Sequence, residues 1–404
     1  MKLDALETRF GRAWLLIICG SLVSFAPVAF DMMLPAFPQM AETLGVSVGE
    51  VQLTLSAALL GMGLGQGLYG PISDRFGRRV PLIVGLCIFI VASIACAFAP
   101  SFGILVALRF VQSLGGSAGM VLGRAIVRDR YSGVHLAKAM SSLTTVFALA
   151  PVLAPVFGAA ILAVATWQWM FIAMAAFGAY ALIAVLTLPE TLEESRRNNH
   201  GLVASVKAYV MIATSPAYRI AGVIAGLTTM CLFAFIASSP AVFMDTYGVS
   251  DMGFAIIFGV NALFLVVGAQ INIRLLRKFS VHALIRGSLL VLCVCGAVMT
   301  LAAVFHWSMF VIIVALAIAT SSVGANMGNA TSEVLKHFPN NAASASALIG
   351  VLQMCLGAAI STILGSLIFS PPLEMSLAIL AGAGLALVLA TRLGRIDAMP
   401  RITA

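Results

Sequence analysis

Twelve apolar runs, each about 20 residues long, follow one another along this chain of 404 residues. A run of that length crosses a hydrocarbon core as an α-helix rising 1.5 Å per residue. Cutting at charged, proline or glycine-rich breaks places the runs at roughly 13–39, 49–70, 80–99, 102–124, 137–162, 167–188, 219–244, 252–273, 282–305, 308–331, 342–368 and 375–392. Strands of a membrane barrel would read as ~10-residue segments of alternating hydrophobicity, and these runs do not alternate. The chain is 61% hydrophobic and 9% charged, whereas soluble domains carry about 25% charged residues. A water-soluble fold could not cover so much apolar surface. The expected fold is an all-α membrane protein of twelve transmembrane helices. The first run is longer than a secretory signal core and carries Asp31 and Pro35 where a cleavage site would stand, so it counts as the first span.

One break is long and polar. It runs from Pro189 to Ala217 and holds Glu190, Glu193, Glu194, Arg196, Arg197, Asn198, Asn199 and His200. It divides the chain into a six-helix half (1–189), a linker (190–217) and a second six-helix half (218–404). Lysine and arginine settle the expected orientation. They occur at Lys2, Arg9 and Arg12, then at Arg75, Arg78 and Arg79, then at Arg124, Arg128, Arg130 and Lys138. The linker region adds Arg196, Arg197, Lys207 and Arg219, and the eighth-to-ninth turn adds Arg274, Arg277, Lys278 and Arg286. Lys336, Arg392, Arg395 and Arg401 follow, and with Arg109 these are all 23. The loops of the opposite side carry none, which places both termini and the linker in the cytoplasm. The net charge of +8 is then a topological signal and no sign of nucleic-acid binding.

Asp31 is the only carboxylate deep inside a span, and Arg109 is the matching buried base. A charge at the bilayer centre costs roughly 2.5–3.5 kcal/mol on insertion scales and marks function. Asp31 lies about 8 residues from the outer end of span one and Arg109 about 7–8 from that of span four, so both sit roughly 11–12 Å deep at 1.5 Å per residue. Depth therefore allows the two to meet. Burial disfavours a charged carboxylate and a nearby arginine favours it, so a change in their separation would change the proton affinity of Asp31. Glu333 reads as a solvated carboxylate beside Lys336, and Glu42, Glu50, Asp245, Asp251 and Glu374 as outer-loop charges. The seven cysteines are scattered through apolar spans as small fillers, and the five histidines lie on different loops and ends. No catalytic set, metal cluster, nucleotide loop or cofactor motif is visible, so an ion gradient is the expected energy source.

Five motifs then give a resemblance. Residues 70–79 read GPISDRFGRR, with Gly70, Asp74, Arg75, Gly77, Arg78 and Arg79 at the spacing of the signature loop of the major facilitator superfamily, between spans two and three. Arg109, Gln112 and Ser113 are similar to that superfamily's R-x-x-Q-G pattern in span four, with serine in place of glycine. Residues 150–158 read APVLAPVFG, and their Pro151, Ala154, Pro155 and Gly158 resemble the antiporter motif in a form like that of the bicyclomycin/chloramphenicol-resistance (Bcr/CflA) branch of drug:proton antiporters. Asp31 to Pro35 (DMMLP) and Pro189 to Thr191 (PET) resemble the same branch. The resemblance implies that the 70–79 loop latches the two halves in the outward-facing state, and that the arginine of span four is tied to proton transfer. It also implies that the span-five motif favours antiport.

Polar and aromatic side chains inside the spans outline an expected substrate cavity: Phe30, Gln112, Phe233, Phe235, Asn261, Phe264, Asn326, Asn329 and Gln353. Intramembrane amides usually face a bundle interior, and apolar walls with few polar groups suit small molecules. The expected function is multidrug efflux: a monomeric, proton-coupled antiporter that exports small amphipathic compounds, with Asp31 as proton carrier and Arg109 as its modulator. Its partners would be the substrate, protons and the bilayer. Alternatives are an exporter of an endogenous nucleoside or sugar, and a proton symporter.

Overall fold

A computed structural model describes residues 9–197, 201–366 and 369–396, and Lys2, Asn198, Asn199, His200 and Arg401 lie outside them. Among the described residues every regular element is helical. Helices are the form in which a lipid-exposed chain can satisfy its own N–H and C=O groups. Twelve of them are long and apolar enough to cross a membrane. They are span one (Ala13–Leu44), two (Val48–Phe76), three (Arg79–Ala97), four (Phe102–Arg130), five (Gly133–Leu162) and six (Gln168–Leu186), then seven (Tyr218–Thr246), eight (Asp251–Leu275), nine (Val281–Val304), ten (Met309–Leu335), eleven (Ala342–Ser366) and twelve (Pro371–Ala390).

Local chemistry fixes the ends. Ser101, Ser250, Ser280 and Ser308 each accept a backbone N–H from the first turn of the helix that follows, which satisfies donors the helix cannot. Arg75, Arg128, Arg130 and Arg274 stand in last turns, where a cation meets the negative end of the helix dipole. The outward faces remain apolar: Val91, Phe157, Ile183, Phe310 and Val388 are all exposed. Such a surface suits lipid.

The chain packs into two compact units, Met1–Leu44 with Ala57–Ser205, and Gly45–Ser56 with Val206–Ala404. In the first, span three packs on spans four and six, and span one on spans four and five. The same pairings recur six spans later: nine on ten and twelve, seven on ten and eleven. Span two meets span four so closely that a Cβ at Gly61 would strike the Phe110 carbonyl and one at Gly65 the Ser117 hydroxyl. The linker, expected as a polar loop, contains a helix at Gly201–Thr214. Ile212 of that helix is fully buried in the apolar core of the second unit with Tyr218, Ile285 and Phe338.

Two carboxylates differ from expectation. Glu333 is 4% exposed and Glu374 7%, so neither is a solvated loop charge. Glu374 enters the first turn of span twelve, and Glu333 lies where span ten packs against spans eight and nine.

Candidate functional site

Span one is not a continuous helix. It runs as α-helix to Val23, turns at Ser24, is α-helical again over Phe25–Phe30, passes through a turn at 31–33, continues as a short 3-10 segment at Leu34–Ala36, and resumes at Phe37. Pro35 explains the break, because its nitrogen has no hydrogen to give the Asp31 carbonyl. That carbonyl instead accepts from the Leu34 N–H at 3.3 Å. Asp31 stands at the break and is 5% exposed.

Arg109 closes on the break from span four. It is fully buried. Its Nη2 donates to the Ala29 carbonyl at 2.6 Å and its Nη1 to Gln112 Oε1 at 2.5 Å. Gln112 Nε2 donates to Ser93 Oγ at 2.7 Å, and that hydroxyl donates to the Phe89 carbonyl at 2.6 Å. The guanidinium also sits 5.6 Å from the ring centre of Phe171, near enough for cation–π attraction. Neither Asp31 nor Arg109 takes part in an ion pair among the described residues. The arginine reaches the expected part of span one, but it binds a backbone carbonyl two residues from the carboxylate.

Span five completes the enclosure. Pro151 and Pro155 lie inside its helix, and Ala154, Pro155 and Gly158 are buried. A Cβ at Gly158 would collide with the Met32 carbonyl. Glycine is therefore required here for the close approach of span five to the residue after Asp31. Three motifs that are far apart in sequence thus meet on one turn, all within the first unit. Phe30, beside Asp31, is buried as well.

The 70–79 loop forms a second constellation in that unit. Gly77 has φ +87°, a left-handed conformation that favours glycine. Arg78 bonds Asp74 at 2.6 Å, Asp129 of span four at 2.9 Å and the Ser73 hydroxyl at 2.7 Å. Burial works against its charge, but Asp129 and Asp74 outweigh it and raise its pKa. Arg79 Nη2 donates to the Leu186 carbonyl, and Arg75 lies over the Phe76 ring. Gly70 is helical with open space where a Cβ would be, so nothing in the structure requires glycine there.

Sequence reasoning missed the role of Glu190. Its carboxylate accepts the backbone N–H groups of Arg78 (2.9 Å) and Arg79 (3.1 Å), and also those of Thr191 and Leu192. It therefore caps the start of span three. A Cβ on Gly77 would meet this carboxylate. The available signal was Glu190 in the Pro189–Thr191 match, but the pairing joins residues 112 apart.

The asparagines of spans eight and ten in the second unit are tied to other protein groups. Asn329 and Asn272 exchange two hydrogen bonds of 2.9 Å, and Asn326 Nδ2 donates to Thr228 Oγ1 at 2.7 Å. Asn261 donates to Ile257 of its own helix. Phe235 stacks on Phe258, and Phe233 packs where a Cβ of Gly357 would lie. Phe264 is exposed and Gln353 half-buried.

Two expectations follow. Gly158→Ala forces a methyl against the Met32 carbonyl, an overpacking change of about 1–3 kcal/mol. Thermal unfolding of the purified protein should fall by several degrees, while Ala160→Val on the exposed face of span five should leave it unchanged. The second concerns Glu190. Burial pushes its carboxyl up, but four backbone N–H donors outweigh this and hold it below the usual carboxylate range. Its stabilisation is thus complete above the ordinary glutamate pKa of about 4.3 and lost as pH falls through the lower folded value. Glu190→Gln should cost about 1 kcal/mol at neutral pH, the order of a lost N-cap. The gap to wild type should close below roughly pH 4 in denaturation series.

Comparison with known proteins fits this geometry. The family model of the Major Facilitator Superfamily matches residues 17–362. An uncharacterized MFS-type transporter, YdgK, of Bacillus subtilis is 34% identical over 88% of this chain and 89% of its own. A bicyclomycin resistance protein homolog of Haemophilus influenzae is 28% identical over 93% of each chain. The crystal structure of a D-xylose-proton symporter shares the fold with a TM-score of 0.74 at 14% identity, covering 96% of this chain and 98% of that one. The chain belongs to the major facilitator superfamily, as a multi-pass membrane transporter rather than an enzyme, and it is similar to the bicyclomycin-resistance branch.

Proposed function

We propose that this transporter exports small amphipathic compounds across the bacterial inner membrane in exchange for protons, with both termini in the cytoplasm and Asp31 as the proton carrier. The observation that carries the reading is the placement of Asp31. A buried carboxylate with no ion pair among the described residues sits on a broken turn, which is clasped by Arg109 on one side and Gly158 on the other. A carboxylate's proton affinity follows the water and charge around it, and a turn held from two helices changes both when either helix moves. Arg109 then acts through its hold on the Ala29 carbonyl. The printed name of the Haemophilus relative supports a toxic compound as cargo.

In this reading the halves 1–189 and 218–404, joined by the 190–217 linker, alternate access, and the Asp74–Arg78–Asp129 set latches one of the states. The motif in span five supports antiport over symport. Phe30, next to Asp31, is the first candidate for substrate contact in the first unit. The chain works as a monomer.

The test uses energised inside-out vesicles with a pH-sensitive dye and a panel of phenicols, lipophilic cations, nucleosides and sugars. Wild type should release protons on addition of a phenicol or lipophilic cation, and Asp31→Asn should reduce that release at least tenfold. Release triggered only by nucleosides or sugars would make the protein a metabolite exporter, and release that persists in Asp31→Asn would remove Asp31 from the coupling.

A further inference from the structure

Span ten carries a polar stripe that the preceding account does not use. Ser322, Asn326, Asn329, Glu333 and His337 recur every three or four residues from mid-span to the residues just beyond its end, and all are buried. That spacing places them along one helix face. Three of them meet a polar group on a different helix: Asn326 meets Thr228 of span seven, Asn329 meets Asn272 of span eight, and Glu333 meets His282 of span nine. The first two pairs are neutral hydrogen bonds that tie helices together. The last position is different, because it is made of groups that titrate.

One oxygen, Glu333 Oε1, has His282 Nε2 at 3.4 Å, Lys336 Nζ at 3.6 Å and His337 Nε2 at 3.8 Å. Neither this oxygen nor His337 Nε2 has a hydrogen-bond partner among the described residues, although both are buried. Burying such atoms unpaired is costly. We propose that Glu333, His282 and His337 form a proton-binding site at the end of span ten, in the second unit and separate from Asp31.

The ligand is a proton on three grounds. First, among the described residues no group of three or more His, Cys, Asp or Glu is arranged to hold a metal ion. Second, histidine is the side chain whose charge changes between about pH 5 and 8. A proton arriving on either ring gives an N–H⁺ that can donate to the carboxylate, a charge-assisted bond stronger than a neutral one. The step is a transfer from bulk water to a ring nitrogen and needs no other reactant. Third, an entry route exists: the His282 side chain is 21% exposed, while those of His337 and Glu333 are each 5% exposed.

The other charged groups on the packed elements are engaged elsewhere or exposed. On span nine, Arg286 Nε donates to the Ala390 carbonyl. At the end of span eight Arg274, Arg277 and Lys278 are exposed. On span seven, the Tyr218 hydroxyl donates to the Leu348 carbonyl and Arg219 is exposed. Span eleven brings only the exposed Cys355.

The test is a histidine titration by ¹⁵N NMR on the full-length protein in lipid nanodiscs, without substrate. Five histidines make the ring signals assignable by single replacement. The rings of His282 and His337 should titrate as a coupled pair, and Glu333→Gln should weaken their proton affinity at least tenfold. Asp31→Asn should leave both curves unchanged. Independent curves with the same midpoints in wild type and Glu333→Gln would overturn the site, as would an equal shift in Asp31→Asn. If Glu333→Gln does not fold, His282→Gln with His337 as reporter decides: a displaced His337 curve supports the site, and an unmoved one refutes it.

Discussion

A backbone carbonyl that has lost its helical partner inside an apolar bundle must find another donor, because none comes from lipid. The first unit is arranged around that requirement. Pro35 interrupts span one, and the Ala29 carbonyl on the near side of the interruption is answered by Arg109. The arginine costs much to bury, and it offsets that cost by also binding Gln112 and facing Phe171. Gln112 in turn needs Ser93. A run of buried polar groups across spans one, three and four thus meets the carbonyl at this break. The Met32 carbonyl, on the far side of the break, comes so close to span five that only a glycine fits at position 158. Asp31 lies between the two carbonyls.

The loop after span two repeats the logic at a helix start. Span three begins with N–H groups that need an acceptor, and its first turn contains no acid. Glu190, arriving after span six, supplies one carboxylate for four donors. Gly77 leaves the space for it, and Arg78 is thereby fixed against Asp74 and Asp129. The signature loop is thus a structure of three separate chain segments. A change at Glu190 would be felt at Arg78 without touching the signature itself.

The spans themselves were legible because their cause is one-dimensional. Apolar runs and the charged, proline or glycine-rich breaks between them locate all twelve to within about six residues, and the shared level of Asp31 and Arg109 followed from counting rise per residue. What escaped depended on the third dimension. Asn272 gave no sign of facing Asn329, since that pairing is set by how spans eight and ten cross. Glu333 looked solvated because Lys336 stands three residues on, yet spans eight and nine cover it. The helix at Gly201–Thr214 was hidden by the polar residues before it, although its own sequence, GLVASVKAYVMIAT, is apolar enough to dock. The break in span one did have a signal in Pro35. The partner that would stabilise the break did not, because Arg109 can meet a carboxylate or a carbonyl equally well by depth alone.

The central claim is that Asp31 is a titrating group whose proton is governed by the turn that Arg109 and Gly158 hold. Infrared difference spectroscopy across a pH jump tests it most directly, with the protein in lipid. A protonated-carboxyl band that disappears in Asp31→Asn should be present in wild type. Its titration should be displaced by both Arg109→Lys, which cannot hold Gln112 and Ala29 together, and Gly158→Ala. A band at Asp31 that titrates identically in wild type and both variants would contradict the account.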